Sequence, residues 1–126
     1  MNKRILVGYD GSNHSRMALL EAIKIAKVLS GFIKVITVYK QGSENEAKKL
    51  LREAEQYLKS EKLGYELLSI LGSNPSRALV NMARHEEFDL IVVGSRGLGS
   101  AASVLLGSVS RQVVAKAETD VLVVKK

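Results

Sequence analysis

Cysteine is absent from the chain, which excludes disulfide cross-links, thiolate metal sites and a cysteine nucleophile. Proline occurs once, at Pro75, and no linker, repeat or low-complexity segment interrupts the sequence. Apolar runs are short, and none approaches the ~20 residues needed to span a bilayer. The opening MNKRILVGYD enters an apolar strand directly, without the apolar stretch of about 7–15 residues and the small-residue cleavage site of a signal peptide. The expectation is a soluble cytoplasmic protein with no membrane partner. Histidine occurs twice, and neither the histidines nor the carboxylates cluster at metal-ligand spacing.

What is present is enough for one packed unit. A chain of 126 residues with a hydrophobic fraction of 46% can bury a continuous core unaided, so residues 1–126 are expected to form a single domain. The formal net charge of +6 favours anionic partners. The basic residues are scattered (Lys24, Lys27, Lys48, Lys49, Lys59, Lys62, Lys116, Lys125 and Lys126). They form no single stripe interleaved with aromatics, which tells against a nucleic-acid reader.

Five apolar runs alternate with four amphipathic stretches: Arg4 to Tyr9, Ile33 to Tyr39, Tyr65 to Leu71, Leu90 to Val93 and Val121 to Val124. ILVG, LIVV and VLVV are rich in β-branched residues without polar alternation, as strands buried on both faces of a parallel sheet are. YELLSIL alternates, which predicts an edge. A first helix is expected from the N-cap Ser12 to Leu29, burying Ala18, Ala22, Ile25, Ala26 and Leu29 and ending at Ser30-Gly31. A second buries Ala47, Leu50, Leu51, Ala54, Tyr57 and Leu58 and pairs Glu44 with Lys48 and Glu55 with Lys59 on its outer surface. Asn74 caps a third with Pro75 in its first turn and Leu79, Met82 and Ala83 inward. This order predicts an α/β doubly wound, three-layer α/β/α domain with a five-stranded parallel sheet. Ligands of such folds sit beyond the carboxyl ends of the strands, where the strand order reverses.

Two loops in that position stand out, Asp10-Gly11-Ser12 and GSRGLGSAASVLLGS from Gly94 to Ser108. The second holds four glycines, Gly94, Gly97, Gly99 and Gly107. Glycine admits positive φ and exposes backbone amides that can cradle phosphate oxygens. Gly107, expected to use a positive φ, precedes a helical pattern at Val109, Val113, Val114 and Ala117, where a helix N-terminus would face an anion. Ser108 and Ser110 offer hydroxyl donors and Arg96 a fixed positive charge. The competing reading is a plain flexible surface loop. Ala101, Ala102, Val104, Leu105 and Leu106 are too apolar for that and favour an ordered turn.

Gly94-Ser95-Arg96-Gly97, nine residues, then Gly107-Ser108 resembles the G-x2-G-x9-G-S/T signature of the ATP-binding branch of the universal stress protein family. The flanks LVGYDGSNHSRMALLEA, NPSRALVNMARHEEFDLIVVGSRG and VSRQVVAKAETDVLVVKK extend the resemblance over essentially the whole chain. It implies the strand order 3-2-1-4-5 and an adenine nucleotide, ATP or else ADP or AMP, at the junction of the first and fourth strands. It also implies that Asp10 and Val38 border adenine and ribose. Val93, Gly94, Arg96, Gly97, Gly107, Ser108, Val109 and Ser110 would surround ribose and phosphates. Two departures stand out: Arg96 occupies a position where many members have histidine, and the KQGSENEA connection is short, implying a less covered adenine. A P-loop is excluded because GxxxxGK[ST] is absent, and the glycines do not form G-x-G-x-x-G after the first strand.

The functional expectation is therefore an ATP-binding regulatory module without turnover. A slow Mg2+-dependent ATPase is the alternative, and a basic nucleic-acid-binding protein a weaker one. Asp10 is a candidate to help hold Mg2+ through ATP, against a plain turn-ordering role. His14 reads as a solvated helical residue near the site, His85 as a structural one, and Asp89 and Asp120 as turn residues. Val121 to Val124 is expected to be an edge strand pairing with a second copy in a homodimer.

Overall fold

The computed structural model describes residues 3–96 and 106–125. Its elements follow the expected alternation: β1 (Arg4–Gly8), α1 (Asn13–Leu29), β2 (Phe32–Tyr39), α2 (Glu44–Leu58), β3 (Gly64–Leu71), α3 (Pro75–His85), β4 (Leu90–Gly94), α4 (Ser108–Lys116) and β5 (Asp120–Val124). The strands form one parallel sheet in the order β3-β2-β1-β4-β5. Chain direction across the sheet therefore reverses between β1 and β4, which opens a crevice at their carboxyl ends.

Strand side chains alternate between two cores. Ile5, Val7, Ile33, Val35 and Val92 face α1 and α2, where Ala18, Leu19, Ala22, Ala26, Leu51 and Leu58 cover them. Leu6, Ile36, Ile91 and Val93 face the other way, against Leu79 and Ala83 of α3 and Val113 of α4. Among the described residues no helix is long and apolar enough to cross a membrane.

The caps form as their chemistry requires. Ser12 accepts from the Ser15 amide at the start of α1, and Asn74 accepts from the Arg77 amide before Pro75. Ser30 closes α1 in the left-handed conformation, with φ 54°. Inside α1, Ala18, Ala22 and Ala26 are buried as expected, but the rest of the buried face differs. Leu19 and Ile23 are buried, whereas Ile25 only packs against the core margin and Leu29 is 44% exposed. On α2 the Glu44–Lys48 pair forms at 3.7 Å, but Glu55 accepts instead from the Tyr65 hydroxyl of β3 at 2.8 Å. β3 is an edge strand, as its alternation predicts, and so is β5.

Candidate functional site

A cleft opens at the β1–β4 reversal. Its floor is apolar, made by Ile36 and Val38 of β2, Leu79 of α3 and Val93 of β4, and its rim is polar. On the rim stand Asp10 and Ser12 from the β1–α1 turn, Gly94 and Arg96 from the end of β4, and Gly107, Ser108, Val109 and Ser110 from the start of α4. Of the ten candidate residues, nine thus line one cleft; Gly97, like Gly99 and Ala101 to Leu105, lies outside the described residues. Gly8, Tyr9, Ser15 and Pro75 also line it and carry no motif that would single them out.

The β1–α1 turn is held from within. Asp10 Oδ1 accepts from the Ser12 amide at 2.9 Å, and the Ser15 hydroxyl donates to the Ser12 carbonyl at 3.0 Å. Gly11 takes φ +84°, so this turn needs glycine for its conformation. The turn-ordering role weighed for Asp10 is present at that oxygen. Among the described residues no group of three or more His, Cys, Asp or Glu could hold a metal ion.

Behind the turn, Tyr9 donates its hydroxyl to Glu53 of α2, which also accepts from Arg16 Nε at 3.1 Å. Burial, and then the Glu53 carboxylate, hold the Tyr9 phenol well above its ordinary pKa. The Tyr9 bond, with Arg16 assisting, holds the Glu53 carboxyl below its own, against a smaller opposing effect of burial.

On the other side, the two ends of the glycine-rich segment are tied together. The Ser95 carbonyl accepts from the Gly107 amide and, at 2.9 Å, from the Ser110 hydroxyl, while the Ser95 amide donates to Val124 of β5 at 2.8 Å. Two expectations need correction here. Gly107 has φ −72° and ψ 172°, extended backbone open to any residue, because an N-cap enters its helix from the β region. No positive φ is involved. Ser110 is buried, and its hydroxyl points to Ser95 and Gly107 carbonyls, so it braces the loop and is not the outward donor expected. Ser108 is exposed on the rim.

Gly94 has a steric role. A Cβ on it would fall 2.6–2.7 Å from the His14 backbone and Cβ, so its glycine lets α1 press against the end of β4. That approach sets His14 Nε2 3.4 Å from Arg96 Nη2. His85 Nδ1 lies 3.1 Å from the Asn81 carbonyl on the surface of α3. Asp89 does more than turn the chain: its Oδ2 accepts from the Arg4 amide at 2.8 Å, clasping β4 to β1. Asp120 is the first residue of β5.

The helix N-termini differ in how their dipoles are answered. Ser12 caps α1 and Asn74 caps α3, while α2 carries Glu44 and Glu46 in its first turn. α4 has neither device: Gly107 provides no cap and its first turn holds no acidic residue. Its start, Gly107 to Ser110, lines the cleft, as do Ser12 and Ser15 at the start of α1 and Pro75 at that of α3.

Comparison with known proteins bears on what such a cleft is for. A sequence model described as the universal stress protein family matches residues 1–125. A universal stress protein of Thermus aquaticus is 33% identical over 137 residues, covering 99% of this chain and 100% of that protein. The universal stress protein Rv1636 of Mycobacterium tuberculosis is 33% identical over 140 residues, covering 97% of this chain and 95% of its own. Among solved structures, that of MJ0577 superposes with a TM-score of 0.89 at 25% identity, covering 100% of this chain and 97% of the other. A universal stress protein in complex with cAMP superposes with a TM-score of 0.79 at 32% identity, covering 98% and 97%.

Proposed function

The chain belongs to the universal stress protein family, and from that premise we propose that it is a non-catalytic adenine-nucleotide-binding regulator of the cytoplasm, with ATP as its ligand. The observation that carries this reading is the N-terminus of α4. Its dipole is answered by neither a capping side chain nor an acidic first turn, and it opens onto the same cleft as Arg96. Backbone amides at a helix start, with an arginine opposite, make a phosphate subsite. The apolar floor of Ile36, Val38, Leu79 and Val93 suits an adenine ring.

In this reading phosphates rest on Gly107, Ser108 and Val109, ribose lies near Gly94, and Asp10 and Val38 border the base. Gly97 is assigned to the phosphates through the motif alone. Mg2+ would arrive with the phosphates, with Asp10 as its nearest carboxylate. A related protein solved with cAMP supports adenine recognition by this fold. Among the described residues that line the cleft Asp10 is the one carboxylate, which is why binding is favoured over hydrolysis.

We also assign the free edge of β5 to self-association, since Val121, Leu122 and Val123 leave a half-exposed apolar strand there. Such an edge pairs readily with its own copy about a two-fold axis.

The direct test is to denature the purified protein and identify by mass spectrometry what is released. An adenine nucleotide near one per chain is expected. A protein that releases none, and binds neither ATP nor AMP by calorimetry, overturns the reading.

A further inference from the structure

Three helices bring their starts to the cleft, and each carries an arginine in its first turn. Arg16 is the fourth residue of α1, Arg77 the third of α3 and Arg111 the fourth of α4. α2, which contributes none of the described cleft residues, carries Glu44 and Glu46 instead. A cation there stands at the positive end of the helix dipole, where a carboxylate is favoured. Arg16 is compensated by Glu53 at 3.1 Å. Arg111 is exposed, and among the described residues no carboxylate pairs with it; its Nη2 donates to the Leu106 carbonyl at 2.9 Å.

That contact fixes where the charge sits. A helical side chain leans toward the N-terminus of its helix, and here it reaches the residue before Gly107. Across the one peptide bond from the Leu106 carbonyl, the guanidinium lies within about 5.5 Å of the Gly107 nitrogen. Arg96 lines the cleft and Arg111 does not. A charge just beyond the rim meets what projects from the cleft, not what lies inside it.

We propose that Arg111 is a specificity-determining residue for the outer phosphates of the nucleotide. Arg96 and the α4 amides hold the phosphate nearest the ribose, and Arg111 adds affinity with each phosphate beyond it, so that the site prefers a triphosphate to a monophosphate. The proposal rests on the nucleotide reading above and deepens it. Arg96 is held by His14 at 3.4 Å and by further contacts, whereas Arg111 is held by one neutral carbonyl and can follow a phosphate chain of variable length.

Three effects set the sign and size. The Leu106 bond uses one of five guanidinium N–H groups and need not break, while a bond from another to phosphate is charge-assisted, about twice as strong as a neutral one. Repulsion between Arg111 and the cations Arg77, Arg96 and Lys125 at the same end persists in the empty cleft, because these types keep their charge at neutral pH. An anion among them relieves it, so it adds to binding. Asp10, the one carboxylate among the described cleft residues, repels every phosphate, but it is the same in wild type and in a variant at position 111 and cancels in the comparison. A unit charge about 4–8 Å from a singly charged phosphate changes affinity roughly two- to sixfold in bulk water, and more at the lower dielectric of a protein surface. Salt screening keeps the gain toward the lower end.

The test titrates ATP, ADP, AMP and adenosine calorimetrically into wild type, Arg111→Gln, Arg111→Lys and Lys116→Gln at one pH, ionic strength and Mg2+ concentration. Lys116 is the exposed last residue of α4, about 12 Å along the helix from Ser108, so its variant removes the same net charge far from the rim. Arg111→Gln should weaken ATP about three- to tenfold, ADP less, AMP by no more than about twofold and adenosine not at all. Arg111→Lys should keep most of the ATP affinity, and Lys116→Gln should bind as wild type does. The melting temperature of Arg111→Gln should match or exceed that of wild type, since the lost charge stood at the positive end of its helix. Equal losses for ATP and AMP, a loss shared by adenosine or by Lys116→Gln, or a wild type that binds AMP as tightly as ATP overturns the proposal and leaves the nucleotide reading standing. A wild type that binds none of the four removes both.

Discussion

The two ends of the sheet use the same kind of residue for opposite purposes. At the amino end, Arg4 lies 4.5 Å from the centre of the Phe88 ring and 5.3 Å from that of Phe32, and it donates to the Glu86 carbonyl. Lys34, on the central part of β2, lies 3.0 Å from Glu86 and 3.5 Å from Glu66, with its side chain 5% exposed. Both of these cations are matched by carboxylate, carbonyl or aromatic face. At the carboxyl end, Arg96 meets a histidine, and α4 begins with no cap and no acid. A cation locked between two carboxylates is cement, whereas a cation at a cleft beside a bare helix N-terminus suits the reception of anions.

The sharpest way to break that contrast is at Lys34. Lys34→Ala removes a buried stem and leaves Glu66 and Glu86 without their common partner. Those carboxylates are 53% and 39% exposed and can turn to water, so the loss should fall near the lower end for a broken buried pair, about 3 kcal/mol. In a domain of this size that lowers the melting temperature by roughly 10 °C. Lys34→Met, which keeps the stem, should lose less. ATP affinity should not change in either. A folded Lys34→Ala protein that no longer binds ATP would mean that the two ends are not separable.

Lys34 also marks the limit of what the sequence discloses. The strands, their alternation with helices, the caps at Ser12 and Asn74, and the cleft end of the sheet are all legible, because each depends on residues within a turn or a strand of one another. FIKVITVY reads as a buried strand with no sign that its lysine is paired. The partners Glu66 and Glu86 arrive from β3 and from the turn after α3, and only tertiary structure brings them in. The same holds for His14 with Arg96 and for Tyr9 with Glu53. Gly107 and Ser110 were legible as neighbours of the cleft. Their roles were not, because an N-cap conformation and a hydroxyl's choice of acceptor depend on where Ser95 lies. On α1 the inward Ala18, Ala22 and Ala26 are legible, but Leu19 and Ile23 take the places expected of Ile25 and Leu29, because all four fit an apolar helical pattern and the position of the sheet decides between them.

At the carboxyl end the matching experiment is Arg96→Ala. It should leave melting within about 0.5 kcal/mol of wild type, as a half-buried residue at a loop position does. It should weaken ATP by about 2 kcal/mol, or roughly thirtyfold, the range for a hydrogen bond to a charged group. Adenosine has no phosphate for the guanidinium to meet and should bind unchanged. Calorimetry with both ligands reads the difference directly. Equal losses for ATP and adenosine would show Arg96 to be part of the base pocket and would erase the contrast with Arg4 and Lys34.

The smallest effect is expected where the two behaviours meet, at the Tyr9–Glu53–Arg16 link behind the cleft. Glu53 accepts from Tyr9 and from Arg16 and is held below its ordinary value of 4.5 chiefly by the Tyr9 bond. A carboxyl whose pKa is depressed by folding stabilises the fold above its unfolded value, and that contribution is lost as pH falls from about 4.5 through the lower folded value. With the Glu53 side chain 40% exposed, solvent screens the interaction, so the contribution at neutral pH should be below about 1 kcal/mol. Urea unfolding of wild type and Glu53→Gln between pH 3 and 7 isolates it. The wild type should be the more stable at pH 7, and the gap should close as pH falls below the ordinary carboxyl value, because the amide does not titrate. A gap that persists unchanged at pH 3 would assign Glu53 to packing between α1 and α2. This link would then resemble neither the ion pairs of the amino end nor Arg96 of the cleft.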